Sequence, residues 1–255
     1  VITLPDGSPI YAGTYHTTSQ WNDILKRIIR LKKDNYDGLK DIAENVKNGV
    51  KDINTIQKQE EISDFDSEFL KKNVETWKEK WDSKFGGDIA QQKFVSPSKY
   101  LFLLNYARVY NDEKVLNHVK NTLDIISSSG LNDFVEGGFY RYTVDNEWKI
   151  PHFEKMLYDQ AQMISLFSSA YKVFGDESYK NIVDETITFL NTKMSSKDGL
   201  YFAAMDADTD GEEGKYYSYN LNELRTISEN TDFNLFTSYY NVNPNNPWEN
   251  GKFLL

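Results

Sequence analysis

Cysteine is missing altogether from these 255 residues, so disulfides, zinc–thiolate centres and thiol nucleophiles are excluded within them. That absence leaves the compartment open, with the cytoplasm favoured. No apolar run approaches the roughly 20 residues that cross a bilayer, and no basic stretch leads into a hydrophobic signal segment. Basic residues are outnumbered, 29 against 39 acidic, and the formal charge of −10 repels phosphate backbones and anionic lipid surfaces. Neither nucleic acid nor a membrane is an expected partner. Phosphate loops, Gly-x-Ser-x-Gly elbows and His-Glu-x-x-His pairs are lacking too, which disfavours nucleotide hydrolysis, serine esterase chemistry and zinc proteolysis.

What is present suffices for a packed core: 39% of residues are hydrophobic and 15% aromatic. Val1-Ile2-Thr3-Leu4, Pro5-Asp6-Gly7 and Ile10-Tyr11-Ala12 read as a β-hairpin, because Pro-Asp-Gly supplies a preset φ and a position for φ > 0. A lone hairpin is marginal in water, so its sheet is expected to continue upstream. Both ends read as cut: Val1 to Leu4 carries no start signal, and Phe253, Leu254 and Leu255 need something to pack against.

From Trp21 the period becomes helical, with Trp21, Ile24, Leu25, Ile28 and Leu31 on one face and Thr18 or Ser19 placed to cap. Leu39, Ile42, Val46 and Val50 mark a second helix, residues 54–64 an exposed connection, and Phe69, Leu70, Val74, Trp77 and Trp81 a third helix ending near Asp82. Ser96-Pro97 opens a fourth, whose return partner starts at Asp112 and stops at Gly130. A helix over Phe153 to Phe174, closed by Gly175, is followed by a return helix from Asp176. Asn220 with Glu223 forms a capping-box start to a last helix. Glycine–aromatic breaks separate the hairpins: Gly87 and Gly138 stand 51 positions apart, Gly138 and Gly199 61. Helix pairs at such intervals, each too small to bury its own apolar face, imply a stack or closed ring with the breaks gathered at one end.

Two loops carry the chemistry-bearing residues. The first holds Gly137-Gly138-Phe139-Tyr140-Arg141-Tyr142, Trp148 and Pro151-His152-Phe153-Glu154-Lys155. His152 is expected at a helix N-terminus, where the macrodipole keeps the imidazole neutral and available as a base. Asp159, seven residues on, would share its helix face and serve as acid or base. Tyr140, Tyr142 and Trp148 can stack on sugar faces, while Arg141 and Glu154 can hydrogen-bond hydroxyls; the structural alternative is that His152 caps backbone groups and the aromatics are core. His16 and His118 have no acidic or aromatic cluster beside them in the sequence and read as structural. The second loop runs Asp206-Ala207-Asp208-Thr209-Asp210-Gly211-Glu212-Glu213-Gly214. It matches half of a calcium-binding EF-hand loop, but the twelfth position is Tyr217 where a bidentate glutamate is required, so these carboxylates read as lining a polar pocket or a solvated turn.

At these loops the sequence resembles the YyaL-like, thioredoxin-domain-containing proteins related to spermatogenesis-associated proteins. The resemblance is carried by Gly137 to Tyr142, by Pro151-His152-Phe153-Glu154-Lys155-Met156-Leu157-Tyr158-Asp159-Gln160, by Asp206 to Gly214, and by Leu4 to Tyr15, which is similar to the closing hairpin of that family's thioredoxin-like domain. It implies a thioredoxin-like domain followed by an (α/α)6 toroid similar to N-acylglucosamine 2-epimerases and six-hairpin glycosidases. The family's Ala-Pro-Lys-Phe-Pro-x-Pro stretch stands here as Gln91-Gln92-Lys93-Phe94-Val95-Ser96-Pro97, with two prolines lost, which weakens Lys93 as a pocket residue. In the related epimerases a Gly-Gly-aromatic hairpin precedes an inner helix whose first turn faces the pocket, and His152 is in the corresponding place.

The resulting expectation is a mainly α chain. Residues 1–16 would be the last hairpin of a thioredoxin-like domain, 17–82 connecting and first helices, and 83–255 the first part of an (α/α)6 toroid whose remainder lies downstream. Its expected function is binding or converting a carbohydrate, in the manner of a sugar epimerase or isomerase, through acid–base chemistry at His152 with Asp159 and Glu154. Tyr140, Arg141, Trp148, Asp206, Asp208 and Glu213 would hold the ligand, with no metal and no cofactor. The other reading is a non-catalytic binding or scaffold module attached to the thioredoxin-like domain.

Overall fold

A computed structural model describes residues 1–55, 67–229 and 231–255, and the chain divides into two compact units, residues 1–66 and 67–255. In the first unit, β1 (Ile2–Thr3) and β2 (Pro9–Tyr11) pair antiparallel about a turn in which Gly7 takes φ 87°. Two helices follow, α1 (Thr18–Asp34) and α2 (Tyr36–Asn54). Thr17, not Thr18 or Ser19, caps α1: its Oγ1 accepts from Gln20 N at 3.3 Å while Gln20 Oε1 accepts from Thr17 N at 2.9 Å. Leu39 and Ala43 are the buried residues of α2, which packs on β2 and α1. Most of the connection expected over 54–64 lies outside the described residues.

The second unit opens with α3 (Ser67–Lys78), then β3 (Lys93–Phe94) and the hairpin of α4 (Pro97–Tyr110) and α5 (Glu113–Ser127). Three two-residue strands follow, β4 (Tyr142–Thr143), β5 (Pro151–His152) and β6 (Lys155–Met156), before the hairpin of α6 (Leu157–Phe174) and α7 (Glu177–Lys193). The remainder is β7 (Ala204–Met205), β8 (Asp208–Thr209), β9 (Glu212–Glu213), α8 (Leu221–Ile227) and α9 (Phe233–Tyr239). The chain is mainly α, as its periodicity predicts.

Turn and cap residues set the hairpins. Asn111 takes the left-handed φ 53° that ends α4, and Asp112 Oδ1 accepts from Val115 N at 3.1 Å to start α5. Gly175, at φ 67°, and Asp176 do the same between α6 and α7. α4 packs along α6, and their facing residues Leu103, Leu104, Ala107, Met163, Leu166 and Phe167 form the core with Val115, Val119 and Leu123 of α5.

Two helix starts differ from the sequence expectation. Ser96 occupies the cap position of α4 but has φ 52° and makes no side-chain cap, so only Pro97 plays its expected part. The helix expected from Phe153 begins at Leu157, because the backbone of 151–156 is engaged elsewhere. Pro151 and His152 pair with Thr143 and Tyr142, Arg141 N donates to Glu154 O at 3.0 Å, and Lys155 and Met156 pair with Met205 and Ala204. His152 is therefore a strand residue with no helix dipole behind it, and it shares no helix face with Asp159.

Candidate functional site

A half-open cavity of about 230 Å³ lies where α4 and α6 begin. Phe94, Ser96 and Pro97 form one side, Tyr140 and Arg141 of the second glycine loop another, and Tyr158, Asp159 and Gln162 of α6 a third. Neither helix has a side-chain cap, since Ser96 and Met156 both fail to provide one. Backbone carbonyls take part of that role, Lys99 N donating to Ser96 O at 3.0 Å and Leu157 N to Ala203 O at 2.9 Å.

Asp159 is the unsatisfied group of this hollow. Its Oδ2 is buried and has no hydrogen-bond partner. Burial pushes its pKa up to about 6 from an ordinary 3.8, against the pull of Arg141 and with a further push from Glu154. A carboxyl poised there exchanges its proton close to neutral pH, which suits general acid–base work. Arg141 lines the cavity and is anchored by Glu154, with Nη1 3.1 Å from Oε2. Tyr140 is buried, its hydroxyl donating to Asp133 Oδ2 at 3.3 Å and its ring packed edge-on against Phe153 and Tyr217. Burial and the neighbouring Asp133 hold its phenol well above the ordinary value, so it stays protonated.

His152 stands beside this cavity and is absent from its lining. The three-stranded sheet β3–β4–β5 puts Phe94, Tyr142 and His152 in register, and their rings stack at centroid separations of 4.5 and 4.9 Å. Phe94, at one end of the stack, lines the cavity; at the other end His152 Nδ1 meets Glu213 Oε1 at 2.7 Å. His152 thus touches the acidic loop through Glu213 on β9, and neither residue lines the cavity. Asp206 and Asp208 remain exposed on that loop: Asp206 Oδ1 accepts from Asp208 N at 3.1 Å, and Asp208 pairs with Glu213 across the β8–β9 hairpin. Asp210 is held by Lys215 at 2.8 Å.

Of the residues singled out from sequence, then, Tyr140, Arg141 and Asp159 come together in the cavity, Glu154 braces Arg141, and His152 with Glu213 forms a neighbouring pair. Trp148 has no surface to offer a sugar. It is fully buried, its Nε1 donates to Phe85 O at 2.8 Å, and a Cβ on Gly87 would meet its ring at 2.8 Å. It locks the first glycine loop to the second. Lys93 is likewise sealed, its Nζ donating to Asp82 Oδ2 and to Gly86 O, both at 2.6 Å. His118 is buried in a stack on Trp81, 3.9 Å between centroids, and burial lowers its pKa to about 4.

Sequence reasoning missed Phe94, Ser96, Tyr158 and Gln162 as wall residues, and missed Asp82, Asp133 and Lys155 as the ions beneath them. The wall residues leave no local signal, being ordinary strand and first-turn positions. For the ions a signal existed: Asp-x-x-x-Gly-Gly occurs at 82–87 and again at 133–138.

No family model matches the chain. Among curated proteins it is 33% identical over 159 residues to spermatogenesis-associated protein 20 of Homo sapiens, an alignment taking in 58% of this chain and 20% of that protein. It is 29% identical over 242 residues to an uncharacterized protein of Caenorhabditis elegans, covering 89% of this chain and 33% of the nematode protein. The chain thus spans about a fifth and about a third of the lengths of these two relatives. Among solved structures it is similar to a sugar epimerase from a ruminal bacterium, with a TM-score of 0.47, 20% identity, and coverage of 66% of this chain and 46% of that one.

Proposed function

We propose that this chain belongs to the family of spermatogenesis-associated protein 20, to which it is 33% identical over 159 residues, and that it contributes two helical hairpins of an (α/α)6 toroid that binds and converts a carbohydrate at the cavity between α4 and α6. The observation that carries the reading is the composition of the wall. Phe94, Tyr140 and Tyr158 offer rings for the apolar face of a sugar, and Arg141 offers donors for its hydroxyls. Asp159 lines the same wall, with its Oδ2 buried and without a hydrogen-bond partner.

The chemistry we propose is proton transfer next to a sugar carbonyl, as in an epimerase or isomerase. One group removes the proton from the carbon beside the carbonyl, and another returns a proton to the opposite face. Asp159, on the cavity wall, is the group placed to exchange a proton with such a ligand, while His152, held by Glu213, lies outside the lining. Full-length protein incubated with mannose or N-acetylmannosamine in deuterated water, and followed by NMR at the carbon-bound proton, tests this. We expect deuterium to enter that position and Asp159→Asn to slow its entry by about a hundredfold or more. No exchange with either sugar, in folded protein, overturns it.

The position of His152, stacked on Tyr142 and tied to Glu213 outside the cavity, favours a second reading in which the toroid binds a glycan without converting it. Undiminished sugar binding by His152→Ala, with no turnover by either protein, would select that reading.

A further inference from the structure

Two loops of the second unit are copies of each other down to single hydrogen bonds. Asp82 and Asp133, 51 positions apart, each accept two backbone N–H groups through Oδ1: Lys84 and Phe85 at 2.9 Å in one, Val135 at 2.9 and Glu136 at 3.0 Å in the other. Each donates its own N–H to the glycine carbonyl five residues on, Gly87 O at 2.9 Å and Gly138 O at 3.0 Å. Each keeps Oδ2 for a buried lysine: Lys93 Nζ lies 2.6 Å from Asp82, and Lys155 Nζ 2.5 Å from Asp133. Both ammonium groups take a second acceptor four residues beyond the aspartate, Gly86 O at 2.6 Å and Gly137 O at 2.9 Å. Both lysines are the first residue of a short strand that runs on into an inner helix, β3 into α4 and β6 into α6. The third loop keeps the closing bond, Phe202 N to Met194 O at 2.7 Å, matching Tyr140 N to Leu131 O at 3.0 Å. Ser196 stands at its aspartate position, and Ser196 Oγ accepts from Leu200 N instead.

Taking a lysine and an aspartate out of water costs several kcal/mol per ion, and their attraction with good hydrogen bonds does little more than repay it, so apolar residues of equal volume are often as stable. Stability is a poor reason for two copies. What the copies share is the wall above them. The first holds the strand on which Phe94 follows Lys93 and leads into Ser96 and Pro97, all at the cavity. In the second, Asp133 Oδ2 takes both the Lys155 ammonium and the Tyr140 hydroxyl, and the ammonium lies 4.8 Å from the centre of the Tyr140 ring. Burial lowers the Lys155 pKa, a cost that Asp133 opposes.

We infer that Lys93 and Lys155 are positioning residues of the cavity, each clamped to a loop aspartate so that one aromatic wall, Phe94 or Tyr140, is held in place for a ligand. The inference rests on the reading of this cavity as the ligand site. It separates from a merely structural role because the two roles respond differently to neutralising the whole pair. Lys155→Met alone strands a buried carboxylate. Lys155→Met with Asp133→Asn removes both charges and keeps an Oδ1 acceptor for the Val135 and Glu136 amides.

The test uses full-length protein carrying 3-fluorotyrosine, with the Tyr140 signal assigned by a Tyr140→Phe control. Denaturant midpoints, the fluorine spectrum, and kcat and KM for mannose and N-acetylmannosamine are measured. We expect the paired variant to regain the stability lost in Lys155→Met, yet to keep a displaced or broadened Tyr140 signal and a KM raised about tenfold, with kcat changed far less. A paired variant that regains stability together with the wild-type Tyr140 signal and KM overturns the inference. Should the wild-type protein process neither sugar, the carbohydrate reading fails, and the Tyr140 signal in the stability-restored variant still decides the clamp: displaced supports it, unchanged overturns it.

Discussion

Asp159 illustrates how a tertiary environment outweighs a local one. The first turn of α6 should favour its carboxylate, but half-burial without a partner for Oδ2 raises its pKa to about 6 instead. The folded protein therefore holds a proton between pH 3.8 and about 6 that the unfolded chain has released, and stability falls as pH rises through that window. Asp159→Asn should then stabilise the protein at neutral pH by on the order of 1 kcal/mol, after discounting for partial exposure. Urea midpoints across pH should show the gain fading toward the ordinary carboxylate range. His118 has the opposite sign. Its folded pKa of about 4 lies below the usual 6.5, so stability is lost as pH falls between those values. His118→Phe, which keeps a ring against Trp81, should flatten that acid limb in the same measurement.

The elements depend on a few joints where loop and helix meet. Gln160 of α6 is fully buried and spans the second glycine loop: its Oε1 accepts from Phe139 N at 2.8 Å and its Nε2 donates to Phe139 O at 2.7 Å. Gln160→Leu leaves both backbone groups without partners and should cost about 2–4 kcal/mol, read as a lower denaturant midpoint with an unchanged slope. Gly138 beside it has φ 77°, and a Cβ there would meet the Phe189 ring at 2.6 Å. Gly138→Ala should lower the same midpoint by a comparable amount, about 3 kcal/mol, because backbone and packing both resist it. These joints also show which parts of the elements are local. Caps such as Asp112, Asp176 and the Asn220–Glu223 box were readable because a cap acts within three residues. The start of α6 was not, since 151–156 carries apolar spacing compatible with a helix and is drawn into strands by partners at 142–143 and 204–205.

At the scale of the whole molecule, the formal charge of −10 makes one firm prediction: no retention on heparin and no shift of duplex DNA at about 0.15 M salt. Among the described residues no helix is long and apolar enough to cross a membrane. Composition, helical periodicity and the 51-residue interval between glycine breaks determined by themselves that the chain is mainly α, built of hairpins, with its chemistry-bearing loops on the breaks between them. Those properties arise from turns, caps and amphipathic spacing, which act over a few residues and are written in order along the chain. Only the tertiary structure decided that Trp148 and Lys93 are sealed in, that His152 is a strand residue beside the cavity, and that Asp159 lines it with a buried, unpartnered Oδ2. It also decided that aspartates 11 and 22 residues before their lysines close two matching clamps. Burial and ion pairing depend on which distant segments meet, and local spacing does not encode that meeting.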